Sequence, residues 1–171
     1  MRPILSGAVM GVFFLVPSAF ARDHCDHWQK YSEVYMPVSL APGRVRTPEF
    51  AVISEAYFIE IRAENRLPFI DMKCMMGLIP GPWDQQECNM ADIQPVLKAD
   101  WKVWDGDRVV AQGSNPNDCA CEFTNEFRLR IFGPFIGEAG RKYVVEMHLT
   151  ADGSPLDVTN PHLIVIRVRY H

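Results

Sequence analysis

The chain lacks a basic excess: 17 lysines and arginines stand against 21 aspartates and glutamates. That balance argues against a nucleic-acid partner, which would call for a positive patch or stripe. It also gives no reason to expect contact with an anionic membrane surface. Beyond residue 21 no long apolar run occurs, so no membrane span is expected, because a bilayer core requires about 20 apolar residues. No phosphate-cradling loop, dinucleotide fingerprint or His-x-x-x-His pair is present. Helical periodicity is almost missing, as are internal repeats and low-complexity tracts.

What is there begins with an export signal over residues 1–21. Arg2 supplies the positive start, Ile4 to Val16 is mostly apolar, and Ala19-Phe20-Ala21 is a small-x-small cleavage site. Arg22-Asp23-His24 before Cys25 is not the small apolar context of a lipoprotein. Residues 22–171 are therefore expected to form one domain in the periplasm or outside the cell, able to bury roughly 70% of its unfolded surface. Without Arg2 the basic residues number 16 against 21 acidic, a net charge of about −5.

All five cysteines lie in that exported part: Cys25, Cys74, Cys88, Cys119 and Cys121. An oxidising compartment makes disulfides the default. Cys74 and Cys88 enclose a segment without strand character, and a bridge there would stabilise by roughly 3 kcal/mol. Cys119-x-Cys121 is too tight to bridge itself easily, so Cys25 is expected to pair with Cys119 or, in the preferred assignment, Cys121. One thiol is left over.

Two alternating runs flank Asp105-Gly106, a strong hairpin signal. A two-residue loop, Asp105-Gly106, would turn Arg108 toward the apolar face. A three-residue loop, Asp105 to Asp107, sets Val103 beside Val109 and Trp101 beside Ala111, and it is preferred. Trp101 and Val103 then face the core, while Lys102, Trp104 and Arg108 face outward. Around this hairpin lie further strand candidates: 35–40, 49–53, 56–63, 127–132, 143–149 and 163–170. Gly133-Pro134 and Gly137 to Gly140 read as the ends of a turn region. Residues 64–93 break the rhythm and read as an insertion, with one or two helical turns at 69–76, then a glycine- and proline-rich loop. About eight short strands at near-regular spacing predict an all-β, antiparallel sandwich.

Glu138-Ala139-Gly140-Arg141-Lys142-Tyr143, an acidic turn with tyrosine heading a late strand, resembles the tyrosine corner of immunoglobulin-like sandwiches. Val145 stands where that pattern would put a cysteine, so the inter-sheet disulfide is absent. Tyr57 to Ile61, Trp101 to Gly113, and Phe135 to Leu163 together resemble small exported bacterial sandwich domains. That resemblance implies an immunoglobulin-like fold, and some proteins of this kind are immunity partners of secreted toxins.

Candidate sites are few. Arg22-Asp23-His24 at a free N-terminus would offer an amine, two peptide nitrogens and an imidazole, a square-planar set for Cu(II). No other cofactor is expected. Ser154, Asp152 and His162 lie near one another, but Asp152-Gly153-Ser154-Pro155 reads as a turn rather than a nucleophile elbow. His148 reads as a surface residue. Arg44/Arg46, Arg128/Arg130 and Arg167/Arg169 each alternate with apolar residues and are expected to face solvent. On neighbouring strands they would form a basic face for an acidic partner or anion. Trp83 and Trp104 are expected as exposed aromatic anchors. The expectation is a non-catalytic exported binding protein of the inhibitor or toxin-immunity type, contacting a protein through Trp83, Trp104, Arg108, Arg128 and Arg130. The alternative is a copper-binding protein using its N-terminus.

Overall fold

Alternation along residues 142–149 buries Tyr143, Val145, Met147 and Leu149 on one side. The same period of two along residues 56–64 buries Tyr57, Ile59, Ile61 and Ala63. Both sets join one apolar core between two antiparallel sheets, a β-sandwich as expected. The computed structural model describes residues 32–53, 56–79, 81–114, 121–123 and 126–167. The signal sequence, Arg22, Asp23, His24, Cys25 and Cys119 lie outside the described residues, and with them the expected second bridge.

One sheet runs β1 (Ser32–Pro37), β10 (His162–Arg167), β4 (Ala56–Glu64), β8 (Phe127–Ile136), β7 (Cys121–Phe123). The other runs β2 (Gly43–Arg46), β9 (Lys142–Leu149), β5 (Ala99–Asp105), β6 (Arg108–Gly113), with β3 (Phe50–Ala51) on the start of β9. Gly133-Pro134 does not end a strand but lies inside β8, opposite Ile59 and Phe58. Proline is tolerated there because β7 covers only residues 128–130 of β8, leaving the rest an edge on that side.

The hairpin takes neither register weighed from the sequence. Asp105 pairs with Arg108 across a Gly106-Asp107 turn, and a bulge then sets Val103 opposite Ala111 and Trp101 opposite Gly113. The bulge absorbs one residue, so β5 keeps its expected faces, with Trp101 and Val103 buried and Lys102 exposed. The Trp101 indole lies where side chains of Gly113 and Gly133 would begin. A Cβ on either glycine would fall 2.7 Å and 2.4 Å from the ring, respectively. Its Nε1 donates to the Phe132 carbonyl at 3.1 Å, tying one sheet to the other. The Tyr143 hydroxyl accepts from the Glu138 backbone N–H at 2.9 Å, closing the turn ahead of β9.

The excursion between β4 and β5 holds two helices, α1 (Phe69–Met75) and α2 (Pro82–Met90), joined by the Cys74–Cys88 disulfide. α2 replaces the loop expected from its glycines and prolines, since Pro82 sits in the first turn, where its missing N–H costs nothing. Lys73 on α1 reaches Asp84 at 2.5 Å and Glu87 at 2.6 Å on α2. Hydrogen bonds from Asp84 and Glu87 hold the Lys73 ammonium pKa above its ordinary value.

Candidate binding face

The outward side chains of the four-stranded sheet form cross-strand rows, because paired residues share a face. Arg44, His148 and Asp100 make the first row, and Arg46, Glu146, Lys102 and Gln112 the second. Val144, Trp104 and Val109 make the third. Arg44, Arg46, His148, Asp100, Lys102 and Gln112 are all exposed, and a shallow groove runs along the first two rows.

Among the described residues Trp104 is the one large aromatic in these rows. It is half-buried, with the Arg46 guanidinium 6.0 Å and the Lys102 ammonium 5.9 Å from a ring centroid. Its Nε1 is buried and has no hydrogen-bond partner among the described residues. Arg108 does not stack on this indole. It pairs instead with Asp105 at 3.1 Å, and Arg141 binds the same carboxylate at 2.6 Å. Asp105 first, and Glu138 second, hold the Arg141 guanidinium pKa above its ordinary value.

Arg128 and Arg130 are not available to a partner, contrary to the alternation argument. They are 8% and 4% exposed. The alternation along β8 is real, but by register the arginine side shares the face of the core residues Ala63 and Ile61. The insertion lies against that side. Arg128 sits 5.1 Å from the Phe69 ring, and Arg130 donates to the Met76 carbonyl beside Gly77. Burial pushes both guanidinium pKa values down. Nor do Arg44/Arg46 and Arg128/Arg130 form one face, since they lie in different sheets; Arg167 pairs with Glu33 at 3.3 Å, and Arg169 lies outside the described residues.

Trp83 is 81% exposed on α2 with Met90, so it stands clear of the core. Ser154 opens a short 3-10 turn (Ser154–Thr159), its N–H bonded to Asp152 Oδ1 at 3.0 Å. His162 stacks on Tyr35 with centroids 4.4 Å apart, and its Nδ1 lies 2.9 Å from the Asn160 carbonyl. Among the described residues no His/Cys/Asp/Glu group could hold a metal ion, and no helix is long and apolar enough to cross a membrane.

Sequence reasoning missed Arg46 and Lys102 as the flanks of Trp104. The signal lay in pairing β2 and β5 to one strand, β9, which a single chain's periodicity does not reveal. No family model and no curated protein matches the chain. Its fold is similar to the crystal structure of a protein from Sulfurospirillum deleyianum. The TM-score is 0.51 at 12% identity, covering 80% of this chain and 98% of that one. That likeness shows the fold alone.

Proposed function

We propose that this protein is a non-catalytic, exported binding protein that engages a protein partner through the outer face of its four-stranded sheet. The immunity or inhibitor type fits its single small sandwich and stapled insertion, and the Tyr143 corner supports an immunoglobulin-like kinship. The observation that carries the proposal is Trp104. An indole at the turn end of this face, in a row with Val144 and Val109 and beside Arg46 and Lys102, with a buried unbonded N–H, has the anchor chemistry of interface hot spots.

The test is Trp104→Ala, immobilised beside the wild type and exposed to native extract. The expected result is unchanged thermal unfolding, with capture of one defined protein weakened by roughly 2 kcal/mol or more. Equal capture by the variant removes this face from the proposal. Unfolding of the variant makes Trp104 a structural residue, which overturns the proposal as well.

A further inference from the structure

The charges around Trp104 are not evenly placed in depth. Arg46 is 59% exposed while its neighbour Glu146, 4.0 Å away, is 20% exposed. Arg108 is 69% exposed while its partner Asp105 is 16% exposed. Asp105 serves two cations, Arg108 and Arg141, and Arg141 has a second, exposed partner in Glu138. Glu146 stands between Arg46 and Lys102 in its row. Arg44 and Lys102 make no ion pair within 4 Å among the described residues, and Asp100 closes the far end of the first row. Asp105 and Arg108 lie on the opposite face of the strand from Trp104. On the Trp104 face three exposed cations, Arg44, Arg46 and Lys102, therefore stand along two rows, with the recessed Glu146 between Arg46 and Lys102 and the exposed Asp100 at the end.

Resting on the reading of this face as the contact surface, we infer that its occupant is an acidic segment of the protein partner. Its carboxylates would lie on Arg46 and Lys102, beside an apolar side chain seated on the Trp104 indole. Arginine can hold a carboxylate through two parallel N–H bonds, which fixes orientation as well as charge. The recessed Glu146 holds Arg46 in place before the partner arrives, so less side-chain freedom is lost on binding. A neutral segment would gain little here.

The experiment uses two fluorescein-labelled peptides alternating glutamate or glutamine with phenylalanine, and heparin as a sulfated-glycan probe. The glutamate peptide is expected to bind, its affinity falling as salt is raised. The glutamine peptide is expected to bind at least about tenfold more weakly. Lys102→Glu and Arg46→Glu, both solvent-facing, are expected to keep thermal stability and to lose the glutamate peptide. Trp104→Ala should weaken it too. Equal binding of both peptides, or no binding of either, overturns the acidic assignment. Heparin bound with its affinity unchanged in Trp104→Ala, and displacing the peptide, identifies a general polyanion patch and overturns it as well. If Trp104→Ala abolishes capture from extract but both charge reversals leave that capture intact, the face stands and its acidic partner falls.

Discussion

The Trp101 wedge allows a quantitative test of how the two sheets are joined. Neither Gly113 nor Gly133 has a positive φ, so alanine is permitted by the backbone at both positions, and the nearest atoms it meets belong to the indole. In Gly133→Ala the new methyl would lie 2.4 Å from Trp101 Cζ2, too close for any carbon pair, and the closely packed ring has little room to retreat. Such overpacking costs about 1–3 kcal/mol. Trp101→Ala removes the same clash but leaves a cavity and an unpaired Phe132 carbonyl, at about 3–5 kcal/mol. The informative measurement is the double variant. In the Trp101→Ala background the Gly133 methyl points into the cavity, so its cost should vanish, giving a coupling of about 1–3 kcal/mol. Urea unfolding followed by far-ultraviolet circular dichroism measures all four proteins without relying on tryptophan fluorescence. Additive losses would show that the indole does not occupy the space above Gly133, and the account of how the sheets are joined would fail.

Cys74 and Cys88 are both fully buried, so neither should be alkylated in the folded protein without reductant, and Cys74→Ala/Cys88→Ala should cost roughly 3 kcal/mol in denaturant unfolding. Lys73→Met should release Asp84 and Glu87 and speed hydrogen exchange across 82–90 while the disulfide keeps α2 tethered. The clamp has two pH limits. Its hydrogen bond to Lys73 lowers the Asp84 carboxyl pKa, so that contribution is present above the ordinary carboxyl pKa and lost as pH falls through the lowered one. The Lys73 pKa is raised, so its contribution is full below the ordinary amine pKa and lost as pH rises through the raised one. Exchange protection of 82–90 should therefore fall at both the acid and alkaline ends, and a flat pH profile would discount the clamp.

The sandwich was legible because period-two alternation in 99–105 and 142–149 reports burial on one face directly, while 56–64 alternates in sequence although Glu60 and Arg62 are buried too. The disulfide was legible from compartment and spacing. Periodicity gives the phase of a strand but not the identity of the side that meets the core. That is why Arg128 and Arg130 were assigned to solvent when the insertion covers them. Gly77, where a Cβ would strike the Arg130 guanidinium, was the local trace of that contact, and it reads as an ordinary loop glycine without the fold. The hairpin register failed for a related reason. A bulge restores alternation after one unpaired residue, and no residue type announces it. Trp104 survived both errors because β5, unlike β6, carries no irregularity between Trp101 and Trp104 along its pairing with β9.

The order of pairing also decides when the chain can fold. β1 finds its partner in β10, the last described strand, and β2 and β3 both find theirs in β9. Among the described residues the first three strands therefore have no strand partner until residues 142–167 are present. Pairings this distant in sequence are slow to form, because a long loop must close before any contact rewards it. A chain emerging N-terminus first would hold those strands open until residues 142–167 had appeared, so pairing of β1 to β3 would wait for that segment. Deleting β10 alone would take the neighbour from β1 and one of two neighbours from β4, so a short C-terminal truncation should unravel the sheet at the chain's beginning.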